Sequence, residues 1–241
     1  MKKQILCILF LCIAASQQIY AGQTLIINTT GKLPLSSQDK TGFLDQIASE
    51  AFRRCDLKLE TMQLPAERSL INANMGIEDG EMSRIAGLEK SYPNLIRVPE
   101  TIMDWEFYAF SELEIELKGG WSDLANYSVA FINGWKILEN NVPAEAEITK
   151  VKNAEQLFYL LARKRAQIVI YERWAGLRRI KQQELKSVRP IQPVLAKRKM
   201  YMYLHKKHQA LVPKLAAALK SMKLDGTYDR LVKQVLEPLK E

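Results

Sequence analysis

The strongest constraint on the fold is a repeated alternation of β-rich and helical segments along the chain. A β-rich run at 24–28 precedes apolar residues at helical spacing over 43–54. An alternating, strand-like run at 57–62 and a further helical segment at 66–74 come next. Because strands that alternate with helices pair in parallel within one sheet, this order predicts an α/β layer architecture.

The same pattern starts again after Gly119 and Gly120 and predicts a second α/β unit. The further predicted strands are 127–132, 148–151, 166–171 and 201–204. The further predicted helices include 154–164, 172–180, 211–224 and 228–239. Pro190 and Pro193 mark a predicted crossing of the chain between the second unit and a mainly helical C-terminal part.

The first 21 residues have the parts of a secretory signal peptide. Lys2 and Lys3 precede an apolar run at 5–15, and the small residue Ala21 stands at the predicted cut. The apolar run is shorter than the about 20 residues that a membrane-spanning helix needs. We expect cleavage after Ala21 and export to the periplasm, and an uncleaved membrane anchor is the alternative.

Charge and cysteine content narrow the functional classes. The formal net charge of +8 at pH 7 falls to +6 without residues 1–21, because these hold two lysines and no acid. The remaining basic residues are scattered without interleaved aromatic residues, which argues against nucleic-acid binding. Cys55 is the one cysteine outside residues 1–21, so no internal disulfide is expected.

Common catalytic and metal-binding patterns are absent from the sequence. It shows no catalytic triad, phosphate loop or zinc motif, and the two histidines, His205 and His208, flank Lys206 and Lys207. We interpret both histidines as surface residues and expect neither a metal nor a cofactor.

Five segments carry a resemblance to a known protein family. They are 41–45, 76–80 with Arg84 after it, 127–134, 165–172 and 225–228. In this order they resemble segments of the bacterial extracellular solute-binding proteins of the polar-amino-acid type (family 3), the receptors that serve ABC importers. The resemblance covers nearly all of the chain after residue 21.

The resemblance implies a periplasmic-binding-protein-like fold of type II, with two α/β lobes joined by two crossing strands. It places lobe 1 at 22–110 and 195–241, lobe 2 at 111–194, and the ligand cleft between them. It further implies a periplasmic, monomeric protein that captures a small polar solute and presents it to an inner-membrane ABC permease.

The candidate anion-binding residues follow partly from this resemblance. Family members often clamp the ligand carboxylate with the Arg of a Thr-x-x-Arg segment, and the matching stretch here, 86–91, has no Arg. Arg84 is therefore the first candidate, since a guanidinium offers two parallel donors to a carboxylate. Its alternative is a structural ion pair with Glu81 or Glu78, and Arg68 is a second candidate.

Strand ends supply further candidates, because open α/β sheets bind ligands at the carboxyl ends of their strands. Asn133 and Gly134 follow a strand before a predicted helix, where free N–H groups favour an anion. An ordinary capped turn is the alternative. Glu172 follows the strand at 166–171 and is predicted to accept a ligand ammonium, with a solvent-facing cap as the alternative.

Aromatic residues complete the predicted cleft. Trp105 and Tyr108 lie near the first crossing, and Trp135 follows Gly134. Each could stack on a ligand, while packing in a core is the more common role of such residues.

Three functional hypotheses remain open from the sequence. The first is a non-enzymatic, exported solute-binding protein for an amino acid or a related carboxylate or amine. The second is an enzyme on the same fold, such as a dehydratase, which would need a cleft acid with a raised pKa, either Glu172 or Glu81. The third is a ligand-sensing protein without a transport role.

Overall fold

The structure is a computed structural model, and it describes residues 22–29 and 31–240. The predicted signal peptide, residues 1–21, lies outside the described residues. Among the described residues, no helix is both long and apolar enough to cross a membrane.

Eight strands and seven helices are assigned in the described part of the chain. The strands are β1 (Thr24–Thr29), β2 (Lys58–Gln63), β3 (Gly80–Arg84), β4 (Leu95–Ser111), β5 (Ser128–Ile132), β6 (Glu147–Val151), β7 (Ile168–Glu172) and β8 (Arg189–His205). The helices are α1 (Phe43–Arg53), α2 (Ala66–Met75), α3 (Lys136–Glu139), α4 (Ala154–Ala162), α5 (Arg173–Gln182), α6 (Val212–Leu224) and α7 (Thr227–Leu231).

The strands form one mixed sheet in the order β2-β1-β3-β8-β4-β7-β5-β6. At one end β1 pairs in parallel with β2 and β3, and at the other end β5 pairs in parallel with β6 and β7. Each end therefore contains the parallel α/β unit that the alternating sequence pattern predicts.

Two long antiparallel strands join the two ends of the sheet. β4 and β8 contain 17 residues each and pair with each other from Leu95 opposite His205 to Ser111 opposite Arg189. β3 pairs with the C-terminal part of β8, whereas β7 pairs with the C-terminal part of β4. The two strands thus belong to both ends, which gives the two-lobed fold its pair of crossing strands.

Ion pairs connect β4, β8 and α5 where the long strands cross. The Lys197 ammonium lies 3.1 Å from a carboxylate oxygen of Asp104 and 3.2 Å from one of Glu106. The Arg173 guanidinium, at the start of α5, lies 2.8 Å from the other carboxylate oxygen of Glu106. These contacts attach α5 to the crossing strands and so help to position the helix that lines the cleft.

Apolar packing forms two large clusters, and the larger one reaches both ends of the sheet, since it also contains Phe158 of α4 and Val169 of β7. The larger contains the buried face of α1, including Phe43, Ile47 and Phe52, together with α6. The smaller is centred on Phe107 and Phe131, from β4 and β5. Trp105 packs against both clusters and therefore lies at their boundary.

Two expectations from the sequence are corrected by the structure. The predicted final helix at 228–239 is divided into α7, a π-helical turn at Val232–Leu236 and a 3-10 turn at Glu237–Leu239. The ring of Pro238 removes an amide donor, so a regular α-helix cannot continue through it.

The second correction concerns His208, which is buried with 7% exposure instead of lying on the surface. Its Nε2 lies 2.6 Å from Oδ1 of Asp79, and the Lys207 ammonium lies 2.8 Å from the same oxygen. Asp79 also accepts a hydrogen bond from the Ile26 N–H at 2.9 Å. This network anchors the segment after β8 to the first lobe, which is why a polar side chain can be buried there.

Candidate functional site

A cleft of about 620 Å³ lies where the two ends of the sheet meet. One wall is the loop after β1, and the other walls come from β4, the ends of β5 and β7, the start of α4, and one face of α5 along its whole length. The lining residues are Gly31, Lys32, Leu33, Leu35, Trp105, Ile132, Trp135, Lys152, Asn153, Ala154, Glu155, Tyr171, Glu172, Ala175, Arg178, Arg179 and Gln182.

One face of α5 supplies the largest share of this lining. Glu172, Ala175, Arg178, Arg179 and Gln182 recur every three to four residues and so lie on the same side of the helix. On the core side of α5, Trp174, Gly176 and Leu177 are buried. The sequence of α5 therefore places Glu172, Arg178 and Arg179 along the cleft.

Glu172 is a buried carboxylate at the N-terminus of α5. It is 2% exposed and accepts hydrogen bonds from the N–H groups of Trp174 at 3.1 Å and Ala175 at 2.8 Å. Burial raises its pKa to about 7, although the two N–H donors act in the opposite direction. The side chain is thus both a helix cap and a cleft residue, and it titrates near neutral pH.

Aromatic rings form the apolar part of the cleft. Trp135 is stacked on Tyr171 with ring centroids 5.2 Å apart, and the edge of Phe107 meets Trp135 at 5.7 Å. The Nε1 of Trp105 is buried and has no hydrogen-bond partner among the described residues. The rings offer flat apolar surface, and the orphan indole N–H is a donor that the protein itself leaves unused.

The cations of the cleft were missed by the sequence analysis. Arg178 and Arg179 are half-buried, while Lys32 and Lys152 are exposed at the rim. Within the described residues, neither guanidinium has a hydrogen bond or an ion pair. The spacing of Arg179 from Glu172, two helical turns along α5, was the signal that could have identified it.

Arg84 does not line the cleft. Its Nε lies 2.8 Å from Oε2 of Glu81, and its Nη2 donates to the carbonyl oxygen of Ala66 at 3.0 Å. The Glu81 side chain is 1% exposed, accepts a further hydrogen bond from Ser69, and has a pKa raised by burial. This geometry matches the structural ion pair considered as the alternative for Arg84.

The other predicted residues divide between the cleft and its surroundings. Glu172, Trp105 and Trp135 are brought together in the lining, whereas Arg68 is exposed on α2 and outside it. Tyr108 is 7% exposed and packs in the core, with the Arg173 guanidinium 5.6 Å from its ring centroid.

Asn133 and Gly134 form an exposed turn beside the cleft. The Asn133 N–H donates to the carbonyl of Val151 at 2.9 Å, and the Gly134 N–H donates to Oε1 of Glu139 at 3.1 Å. Both N–H groups that were predicted to hold an anion are therefore engaged within the protein. Within the described residues, no group of three or more His, Cys, Asp or Glu side chains could hold a metal ion.

Comparisons with known proteins give one distant relative and many structural neighbours. No protein-family model matches the chain. An uncharacterised protein of Shewanella oneidensis is 28% identical over 179 residues, which cover 71% of this chain and 67% of that protein.

Three solved structures illustrate the structural likeness. The L-cystine solute receptor of Neisseria gonorrhoeae, unliganded and open, has a TM-score of 0.70 at 18% identity and covers 89% of this chain and 93% of its own. An ancestral amino acid-binding protein, a precursor of cyclohexadienyl dehydratase, has a TM-score of 0.66 at 20% identity, with coverages of 89% and 95%. A histidine kinase sensor domain similar to periplasmic binding proteins has a TM-score of 0.70 at 13% identity, with coverages of 90% and 97%.

These three neighbours differ in their described roles but share one architecture over nearly their whole lengths. At identities of 20% or less, the likeness establishes the fold. The chain therefore has the two-lobed α/β fold of the periplasmic binding proteins, with a cleft at the junction of its lobes.

Proposed function

We propose that this chain is an exported solute-binding protein that captures a small polar ligand between its two lobes. The observation that carries the proposal is the cleft of about 620 Å³, which has walls from both ends of the sheet. It combines aromatic surface with charged groups of both signs, and ligand sites typically pair apolar walls with a few polar anchors.

The proposed mechanism is closure of the lobes around the ligand. We place lobe 1 at 22–110 and 195–241 and lobe 2 at 111–194, so that β4 and β8 act as the hinge. A ligand that contacts the loop at 31–35 and α5 at the same time binds the closed arrangement better than the open one, and so shifts the population toward it.

The ligand class follows from the cleft and from the structural neighbours. The neighbours include an L-cystine receptor and an ancestral amino acid-binding protein, which supports an amino acid or a related carboxylate or amine as the ligand here. Glu172 would accept the ammonium of such a ligand in its ionised form, and Trp135 and Tyr171 would pack against its apolar part.

The proposal also includes export of the chain to the periplasm and a membrane partner. Residues 1–21 would act as the signal peptide, and the mature monomer would start at Gly22 in the periplasm and deliver its ligand to an inner-membrane ABC permease. N-terminal sequencing of the protein from a periplasmic extract tests the cut, and recovery of membrane-bound protein with Met1 retained would contradict it.

The binding function is tested by two measurements on the mature protein. Native mass spectrometry should detect a co-purified small molecule, or one added from a panel of amino acids, amines and small carboxylates. Small-angle scattering should show a smaller radius of gyration once that ligand is bound. The proposal fails if no compound in the panel binds and the radius stays constant.

An enzyme on this fold is the second candidate, because Glu172 is a buried cleft carboxyl with a pKa of about 7. Such a group can donate and accept a proton near neutral pH, as a general acid or base must. A dehydratase acting on small carboxylated rings would convert its bound compound, which NMR detects as product, and Glu172→Gln would stop the conversion. Binding without turnover favours the solute-binding role.

A sensory role would use the same cleft, and one structural neighbour is a histidine kinase sensor domain. A sensory protein would differ from a transport receptor in the partner protein that binds its closed state. Copurification of the ligand-bound protein with a permease supports transport, and copurification with a kinase supports sensing.

A further inference from the structure

In the described part of the chain, half-buried arginines are paired with carboxylates, with two exceptions. Arg54, Arg84, Arg97 and Arg173 each form an ion pair with at least one acid. Arg178 and Arg179 are also half-buried but have no hydrogen bond or ion pair to any of residues 22–29 or 31–240. Both line the cleft.

The missing partners have a physical consequence. A guanidinium that loses part of its hydration needs an anion or several acceptors in return. Arg178 and Arg179 are consecutive residues of α5 and both line the cleft, so two guanidiniums that lack such partners border the same space. A carboxylate bound in the cleft would supply the missing acceptors.

The cleft lining as a whole also carries a net positive charge. Its lining holds four cations, Lys32, Lys152, Arg178 and Arg179, against the two acids Glu155 and Glu172. Burial raises the pKa of Glu172 to about 7, so this acid carries less than a full negative charge near neutral pH. The potential in the cleft therefore favours a ligand with more than one negative group.

The placement of the cations leaves room for an extended molecule. Ala175 is the small residue between Glu172 and Arg179 on the cleft face of α5, and Lys32 belongs to the opposite wall. A ligand lying along α5 would reach the guanidiniums at one end while its other end stays near Glu172 and the aromatic rings.

We propose that the cleft selects small solutes with two carboxylates, and that Arg178 and Arg179 bind one of these carboxylates. This inference rests on the proposed solute-binding function and specifies its ligand class. Two sources share the chemistry, namely acidic α-amino acids and dicarboxylic acids without an amine. In an acidic α-amino acid, Glu172 would in addition accept the ammonium.

The experiment is calorimetric titration of the full mature chain with L-glutamate, glutarate, L-glutamine and L-arginine. We expect the two dicarboxylates, L-glutamate and glutarate, to bind at least about tenfold more tightly than L-glutamine, because L-glutamine replaces a charge-assisted contact by a neutral one. Their affinity should also fall as salt is added, since exposed lysines at the rim are screened.

Three arginine variants identify the residues responsible. Arg178→Gln and Arg179→Gln should each weaken the binding of L-glutamate or glutarate by about tenfold or more while melting curves show an intact fold. Arg165→Gln is the control, because Arg165 is exposed and does not line the cleft.

The amine distinguishes the two possible ligand classes, acidic α-amino acids and dicarboxylic acids without an amine. If L-glutamate binds more tightly than glutarate and Glu172→Gln removes the difference, the ligand class is an acidic amino acid. If glutarate binds at least as tightly, the class is a dicarboxylic acid.

The failure of this inference is distinct from the failure of the proposed function. Tighter binding of L-glutamine or L-arginine than of both dicarboxylates, or unchanged dicarboxylate affinity in both arginine variants, overturns the inference and leaves a solute-binding protein. Absence of binding by every compound of the wider panel, with no compaction, overturns both.

Discussion

The Arg84 guanidinium and the Glu81 carboxylate form an ion pair within β3, with Nε of the arginine 2.8 Å from Oε2 of the glutamate. The glutamate side chain is 1% exposed and that of the arginine is 15% exposed. A charge buried to this degree is costly without its partner, so each residue is needed to keep the other in place.

Arg84→Ala should therefore destabilise the fold and leave ligand binding nearly unchanged. Removing one partner of a buried pair lowers the free energy of unfolding by about 3–5 kcal/mol. Chemical denaturation measures this loss, and calorimetry measures affinity. Arg68→Ala is the control, because Arg68 is exposed on the neighbouring helix α2. A stable Arg84→Ala protein that no longer binds ligand would instead support the carboxylate-binding role.

The pH dependence of stability should reveal the buried carboxyl of Glu172. Its pKa is about 7 in the folded protein, against an ordinary value of 4.5. Between these values the folded state keeps a proton that the unfolded state has released, so the free energy of unfolding falls as pH rises. The stabilising contribution is thus present below about pH 4.5 and lost as pH rises through about 7.

The glutamine side chain of Glu172→Gln cannot ionise, so this variant should not lose stability in the same way as pH rises. Relative to the parent protein, its free energy of unfolding should increase from about pH 5 to about pH 8, by an amount on the order of 1–3 kcal/mol. Thermal melts in a series of buffers measure the difference. Glu155→Gln serves as the control, since Glu155 is an exposed acid of the same cleft. A difference for Glu172→Gln that is constant with pH would contradict the prediction.

Trp105→Phe tests the orphan indole N–H. A buried donor without a partner costs about 1–3 kcal/mol, and the substitution removes that cost while it loses some packing. We expect the free energy of unfolding to change by less than about 1 kcal/mol without ligand, and affinity to fall if the closed state supplies an acceptor.

Trp135→Phe is the matched comparison. It reduces the stacking on Tyr171 and, unlike Trp105→Phe, removes no buried unpaired donor. It should be the more destabilising of the two substitutions. Equal losses would show that the Trp105 N–H has a favourable partner in the free protein.

Gly176→Ala should disturb the packing of α5 against the core. A Cβ at this position would clash with the ring of Phe110, which is fully buried. Overpacking of this kind costs about 1–3 kcal/mol, and a shift of α5 would also move its cleft face and weaken binding. Phe110→Leu in the same chain should recover part of the loss by shortening the side chain, and the double-mutant cycle measures this coupling. Additive losses would show that the two positions do not contact each other.

Local sequence patterns were sufficient for most elements of the two α/β units. The apolar residues Phe43, Ile47 and Phe52 recur at helical spacing and form the buried face of α1, as predicted. The strands β1, β2, β5, β6 and β7 are likewise where strand-like runs predicted them, and their parallel pairing was predicted from the intervening helices, whereas β3 was not predicted.

The full length of β4 and β8 could not be predicted in this way. Both strands carry charged residues in their middle, where Asp104 and Glu106 face Lys197 across the ladder. A run with charges at its centre lacks the apolar alternation typical of a strand, and only the pairing of the two distant segments makes it one.

The sequence by itself determined the α/β class, the two units and the position of Glu172 at a strand end facing the cleft. Only the tertiary structure decided which arginines are satisfied, because ion pairing depends on distances between segments and not on spacing along the chain. Glu81 engages Arg84, whereas no acid of the described residues reaches Arg178 or Arg179. The charge of the cleft is therefore a property of the folded chain.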